Sequence, residues 1–136
     1  MPIPSFPIFK KSKKNFMQTF IKISLSLFFL VSCAQSTTPV IETVNQATFK
    51  QLLLQDLPLL DVRTPREYSS GHIAKAVNID YNAPDFEAQI NALDRNQPFL
   101  IYCAVGGRSA KAAARMQALG FKKVYELQGG YNNWAD

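Results

Sequence analysis

The sequence predicts an α/β fold, a parallel sheet covered by helices on both faces. Three observations point to it. From residue 40 onward, short apolar runs alternate with stretches whose apolar residues recur at helical spacing. Capping residues stand where the helical stretches begin, at Asn45 and in Thr64-Pro65-Arg66-Glu67. Glycines stand where they end, at Gly71 and Gly120.

Taken in order, Val40 to Val44 is an edge strand. Asn45 caps a helix over Gln46 to Gln55, with Phe49, Leu52 and Leu53 on one face. Leu57 to Val62 is a buried strand, and Pro58 is tolerable near its start. Thr64 and Glu67 form a capping box, with Pro65 in the first turn, and Gly71 closes that short helix. Ala76 to Ile79 is the next strand, and Asp85 to Leu93 the next helix. Phe99 to Tyr102 is a central strand. Ser109 caps a helix that runs to Leu119, with Lys111 and Arg115 in solvent and Ala110, Ala113, Ala114 and Ala118 against the sheet. Val124 to Leu127 is the last strand, followed by Gly129-Gly130 and a short helix containing Trp134.

Composition bounds the function. A chain of 136 residues with 47% hydrophobic and 18% charged residues builds one globular domain and is not disordered. Two cysteines make no disulfide framework, and no His/Cys cluster has the spacing of a structural zinc site. The net charge of +5 comes from Lys10, Lys11, Lys13, Lys14 and Lys22, and the charges after residue 32 balance. The domain therefore has no basic excess to offer a nucleic acid.

The same lysines precede a nine-residue apolar run, Ile23 to Val31, the layout of an export signal. A membrane-spanning helix needs about 18 apolar residues or more. The run closes on Leu30-Val31-Ser32-Cys33, which resembles a bacterial lipobox. That resemblance implies a signal peptide over 1–32 and lipidation of Cys33, which becomes the mature N-terminus. Residues 33–39 read as a polar tether and 40–136 as the folded domain. The expectation is an exported bacterial lipoprotein on the periplasmic face of a membrane, held by its N-terminal lipid. Ala34 in place of Asp favours the outer membrane.

The informative loop is Cys103-Ala104-Val105-Gly106-Gly107-Arg108-Ser109, between a buried strand and a helix. In open parallel sheets, ligands sit beyond the carboxyl ends of the strands, where this loop falls. Paired glycines let the backbone curl with its N–H groups inward, and the following helix adds its positive end. Such a cradle stabilises a thiolate, and Arg108 adds a permanent cation. Cys103 is thus a reactive thiol rather than a structural one.

Together with Asp61-Val62-Arg63, Glu67-Tyr68, Gly71-His72-Ile73, Ala76, Asn78-Ile79, Gly120-Phe121, Val124-Tyr125, Gly129-Gly130 and Trp134, the loop makes residues 40–136 resemble the rhodanese-like family. The resemblance implies a five-stranded parallel sheet with helices on both faces. It implies a sulfurtransferase of the thiosulfate type, in which Cys103 carries sulfane sulfur as a persulfide. The loop from Ala104 through Val105, Gly106, Gly107 and Arg108 to Ser109 would hold the terminal sulfur. The partners implied are a small sulfur-containing donor, thiosulfate or a persulfide, and a thiol acceptor, with no metal or organic cofactor. Two alternatives stand beside this reading. A non-catalytic binding module of the same family typically lacks the cysteine. A phosphatase or arsenate reductase on the same fold resembles Cys-x5-Arg, one residue longer than the Cys-x4-Arg found here.

Asp61 and Arg63 read as an ion pair locking the loop region, with Glu67 as a further partner. His72 reads as structural, since a thiolate already formed needs no base. Gly129-Gly130 lets the chain pass close to the loop, and Trp134 packs at the core or rim.

Overall fold

The computed structural model describes residues 40–135. The expected signal peptide (1–32), tether (33–39) and lipidation site Cys33 lie outside the described residues. Among the described residues, no helix is long and apolar enough to cross a membrane.

The elements run β1 (Ile41–Val44), α1 (Gln46–Leu53), β2 (Leu59–Asp61), α2 (Pro65–Ser69), β3 (Val77–Asn78), α3 (Phe86–Asn91), β4 (Phe99–Tyr102), α4 (Gly107–Ala118), β5 (Val124–Leu127) and a 3₁₀ turn (Tyr131–Asn133). The five strands form one parallel sheet in the order β1-β5-β4-β2-β3. β4 lies at the centre, and all four of its residues are buried. Its side chains alternate between the two faces. Phe99 and Ile101 join the core under α3 and α4, with Ile90, Ala113 and Met116. Leu100 and Tyr102 join the core under α1, with Phe49, Leu52 and Leu127. This two-sided burial explains the continuous apolar run Phe99-Leu100-Ile101-Tyr102.

Both expected caps are present. Asn45 Oδ1 accepts from the N–H of Thr48 at 2.9 Å, and Thr64 and Glu67 form the reciprocal capping box. The last helix differs from expectation. Its cap is Gly106, left-handed at φ 102°, and Ser109 lies buried within the first turn. A residue at positive φ reverses the chain tightly enough for the helix to begin three residues earlier. The buried face carries Ala112, Ala113 and Met116, whereas Ala110, Ala114 and Ala118 are exposed. Lys111 and Arg115 do face solvent. Trp134 follows the 3₁₀ turn rather than lying inside a helix, and packs edge-on against Phe49 at 6.1 Å.

Candidate active site

Cys103 follows the last residue of β4, so the central strand carries it to the carboxyl edge of the sheet. The chain then curls back over its own sulfur. The N–H of Gly106 donates to Cys103 Sγ at 3.1 Å, and Ser109 Oγ lies 3.4 Å from it. The segment after β5 fixes the outer side of the curl. The N–H of Tyr131 donates to the carbonyl of Cys103 at 2.8 Å, and that of Asn132 to the carbonyl of Ala104 at 3.0 Å. With these carbonyls engaged outward, the N–H groups are free to face the sulfur. The approach requires Gly130. Its φ is +66°, and a Cβ there would stand 2.5 Å from the Cys103 carbonyl oxygen.

Burial pushes the Cys103 thiol up, and the residue is only 1% exposed. The Ser109 hydroxyl and the backbone N–H groups of Ser109, Val105 and Gly106 pull it down, and the pull prevails. The magnitudes allow this, since a hydrogen bond to a charged acceptor contributes about 1.5–3 kcal/mol. Of the other loop residues, Ala104 is half-buried, the Val105 side chain is exposed, and Gly107 opens α4 at the surface.

Arg108 does not spend its hydrogen bonds on the sulfur. Its two terminal nitrogens grip the Glu67 carboxylate, at 2.7 Å each. The same carboxylate accepts the N–H and hydroxyl of Thr64, each at 2.9 Å. The hydrogen bond from Arg108 holds the Glu67 carboxyl down at about 2, against a smaller opposing effect of burial. Glu67 thus ties α2 to the reactive loop and does not join the Asp61–Arg63 pair.

Asp61 and Arg63 form the expected lock. Arg63 donates to Asp61 from its backbone, from Nε and from a terminal nitrogen, the last at 2.6 Å. It also donates to the Gly71 carbonyl at 2.7 Å and lies 4.1 Å over the Tyr131 ring. The buried pair therefore reaches Cys103 through Tyr131. His72 is exposed, stacked on Tyr68 at 3.8 Å, with Nδ1 3.0 Å from the Tyr68 carbonyl. This is a local packing role. A cleft of about 300 Å³ opens beside the loop, between Arg63, Arg66, Glu67 and Tyr131.

One site residue escaped the sequence reading. Glu126, in β5, is 6% exposed and accepts a hydrogen bond from Ser109 Oγ at 2.7 Å. The signal was available: an acidic residue inside a strand of a two-sided sheet has no solvent face and requires a partner.

The rhodanese-like domain profile matches residues 45–136. The chain belongs to this family. Its rhodanese-like domain is 35% identical over 103 residues to thiosulfate sulfurtransferase 16, chloroplastic, from Arabidopsis thaliana, covering 68% of this chain and 86% of that protein. It is 36% identical over 77 residues to the thiosulfate sulfurtransferase GlpE of Stutzerimonas stutzeri (strain A1501), covering 56% and 68% respectively. Among solved structures, the human single-domain sulfurtransferase TSTD1 superposes with a TM-score of 0.58 at 26% identity, covering 68% of this chain and 93% of that one. The five-stranded parallel sheet of the rhodanese-like fold is thus the observed architecture.

Proposed function

We propose that this chain is a sulfurtransferase that moves sulfane sulfur through a persulfide on Cys103. The observation that carries the reading is the sulfur itself, held by the Gly106 N–H at 3.1 Å inside a loop of Cys-x4-Arg length. With thiosulfate as donor, the Cys103 thiolate attacks the outer sulfur. The Sγ–S bond forms, the S–S bond of thiosulfate breaks, and its electron pair leaves with sulfite. The persulfide Cys103–S–S⁻ keeps the single negative charge, which the loop N–H groups are oriented to hold. In the second half, an acceptor thiol attacks the terminal sulfur. The Sγ–S bond breaks, Sγ departs as thiolate, and the acceptor becomes a persulfide that keeps the thiol proton. Neither half needs an external oxidant or reductant. Relatives named thiosulfate sulfurtransferase support the reading.

Intact mass after incubation with thiosulfate tests it. The expected result is an increment of one sulfur, absent in Cys103→Ser and reversed by cyanide or a thiol. An unmodified wild-type chain, tried also with polysulfide, overturns it.

We further propose that the protein works as a lipoprotein on the periplasmic face of a membrane. The support is the lysine-rich start, the apolar run and Leu30-Val31-Ser32-Cys33. Cys33 and Cys103 are the two cysteines of the chain. Once Cys33 carries lipid, no second thiol remains to resolve Cys103, so a separate thiol partner must do so. Cys33→Ala should release the protein from membranes or block its maturation. Wild-type protein that fractionates with the cytosol, leader uncut, defeats this proposal.

A further inference from the structure

Glu126 is a buried carboxylate that the transfer scheme leaves unused. Oε2 accepts from Thr43 Oγ1 of β1 at 3.2 Å, and Oε1 accepts from Ser109 Oγ at 2.7 Å. The Ser109 oxygen also stands 3.0 Å from the Gly106 carbonyl and 3.4 Å from Cys103 Sγ. A hydroxyl has one hydrogen to give. Three acceptors therefore compete for it, two of them anionic when Cys103 is ionised. Charge-assisted bonds are the short, strong ones, and the shortest contact is to Glu126. Sulfur is the larger and softer acceptor and stands furthest away.

We infer that Glu126 is a positioning residue that restrains the nucleophile by competing with Cys103 Sγ for the Ser109 hydrogen. Any share of that hydrogen held by Glu126 is lost to the thiolate, which the Ser109 hydroxyl then supports less than it would alone. The buried carboxylate also adds a like charge one hydroxyl away from the sulfur, which opposes ionisation. The other charged groups around the pair are Arg108 in the first turn of α4, Glu67 of α2, which neutralises it, and Asp80 after β3, whose charge also acts on Arg108. The Asp61–Arg63 pair of β2 is closed on itself. On the β1 side, Glu42 is engaged by Lys123. None of these contacts the Ser109 hydroxyl, so Glu126 is the one carboxylate that competes with Cys103 Sγ for its hydrogen, beside the neutral Gly106 carbonyl.

The restraint has a chemical consequence, which rests on the sulfurtransferase reading. A thiol of lower pKa is a weaker nucleophile but a better leaving group. Sγ is the nucleophile when sulfur is loaded and the leaving group when it is passed on. At a pH where Cys103 is fully ionised, Glu126 therefore favours loading over release.

Two variants of the full chain test the inference, Glu126→Gln and Glu126→Leu. The amide removes the charge and keeps the shape, while the leucine removes both oxygens and covers the case in which the amide turns its oxygen to Ser109. The first readout is the pH dependence of Cys103 alkylation by iodoacetamide, which requires no sulfur transfer. Its midpoint should fall by about one pH unit in both variants. Most of that fall should vanish in a Ser109→Ala background. A merely structural glutamate predicts the opposite, since a loosened loop raises the midpoint. An unchanged or raised midpoint in a folded variant overturns the inference. The second readout separates the half-reactions at a pH above the alkylation midpoint of every variant: sulfur loading from thiosulfate should slow and release to cyanide should quicken. Both halves slowing together overturns the tilt toward loading. A shifted midpoint in a protein whose wild type never loads sulfur would sustain the restraint and defeat the sulfurtransferase proposal instead.

Discussion

Two arginine–carboxylate pairs flank the reactive loop, and solvent divides them. The side chains of Arg63 and Asp61 are 5% and 0% exposed, whereas those of Arg108 and Glu67 are 25% and 34% exposed. The chemistry of the two contacts is the same, a guanidinium against a carboxylate with multiple hydrogen bonds. Burial makes the first an all-or-none structural element, because neither charge can be left alone in the core. Partial exposure leaves the second adjustable, because water can replace either partner at low cost. One pair holds the platform under Cys103, and the other holds the rim above it.

The comparison can be broken most directly at the buried pair. Arg63→Ala strands the Asp61 carboxylate and removes the support under Tyr131. We expect a loss of about 3–5 kcal/mol, read from denaturant unfolding. A loss below about 1 kcal/mol would make the two pairs equivalent.

Gly130→Ala comes next and touches neither pair. A methyl group there meets the Cys103 carbonyl and demands positive φ from alanine, at a cost of about 1–3 kcal/mol. The alkylation midpoint of Cys103 should move up toward the ordinary thiol value of about 8.5. An unmoved midpoint would show that the buried pair does not reach the sulfur through Tyr131.

At the rim, Arg108→Ala should cost about 1 kcal/mol or less in stability. It should nevertheless raise the alkylation midpoint and weaken anionic donors more than neutral ones, which initial-rate kinetics would show. Equal losses for both kinds of donor would remove Arg108 from the site.

The smallest expected effect is Glu67→Gln, a small loss at neutral pH that disappears in acid. The Glu67 carboxyl is held near 2 in the fold against an ordinary value of 4.5. A pKa depressed by folding contributes stability above the unfolded value and loses it as pH falls through the folded one. The wild type should therefore lose the contribution of this pair between about pH 4.5 and 2, and the glutamine variant should lack that part of the slope. Identical acid-unfolding curves would mean that the rim pair contributes nothing to the fold.

These contacts were unequally legible in the sequence. The strand cores and the Asn45 and Thr64–Glu67 caps follow from periodicity and from side chains acting within one turn, so local sequence suffices. The Asp61–Arg63 pair was legible for the same reason, being two residues apart. Glu67–Arg108 spans 41 positions, and Ser109–Glu126 spans 17. No local pattern encodes contacts made by crossover connections. Ser109 was mistaken for a cap because serine is the usual capping residue, while the left-handed Gly106 did that work. The alanine face is a separate difference: alanines stand on both sides of this helix, so their spacing alone does not tell that Ala112 and Ala113 meet the sheet while Ala110, Ala114 and Ala118 do not. The close approach expected at Gly129-Gly130 is made by Gly130, which meets the Cys103 and Ala104 backbone, while Gly129 lies against Asn133.

The turn after β5 has a consequence for when the protein becomes reactive. Synthesis runs from the amino end, so the loop is made before Tyr131 and Asn132, whose N–H groups pin its carbonyls. A growing or unfolded chain holds every loop residue but not the finished cradle. Its Cys103 is then an ordinary thiol, mostly protonated at neutral pH and slow toward oxidants and sulfur donors. The turn after β5 completes the cradle, so folding, and not the loop sequence alone, makes the thiol reactive.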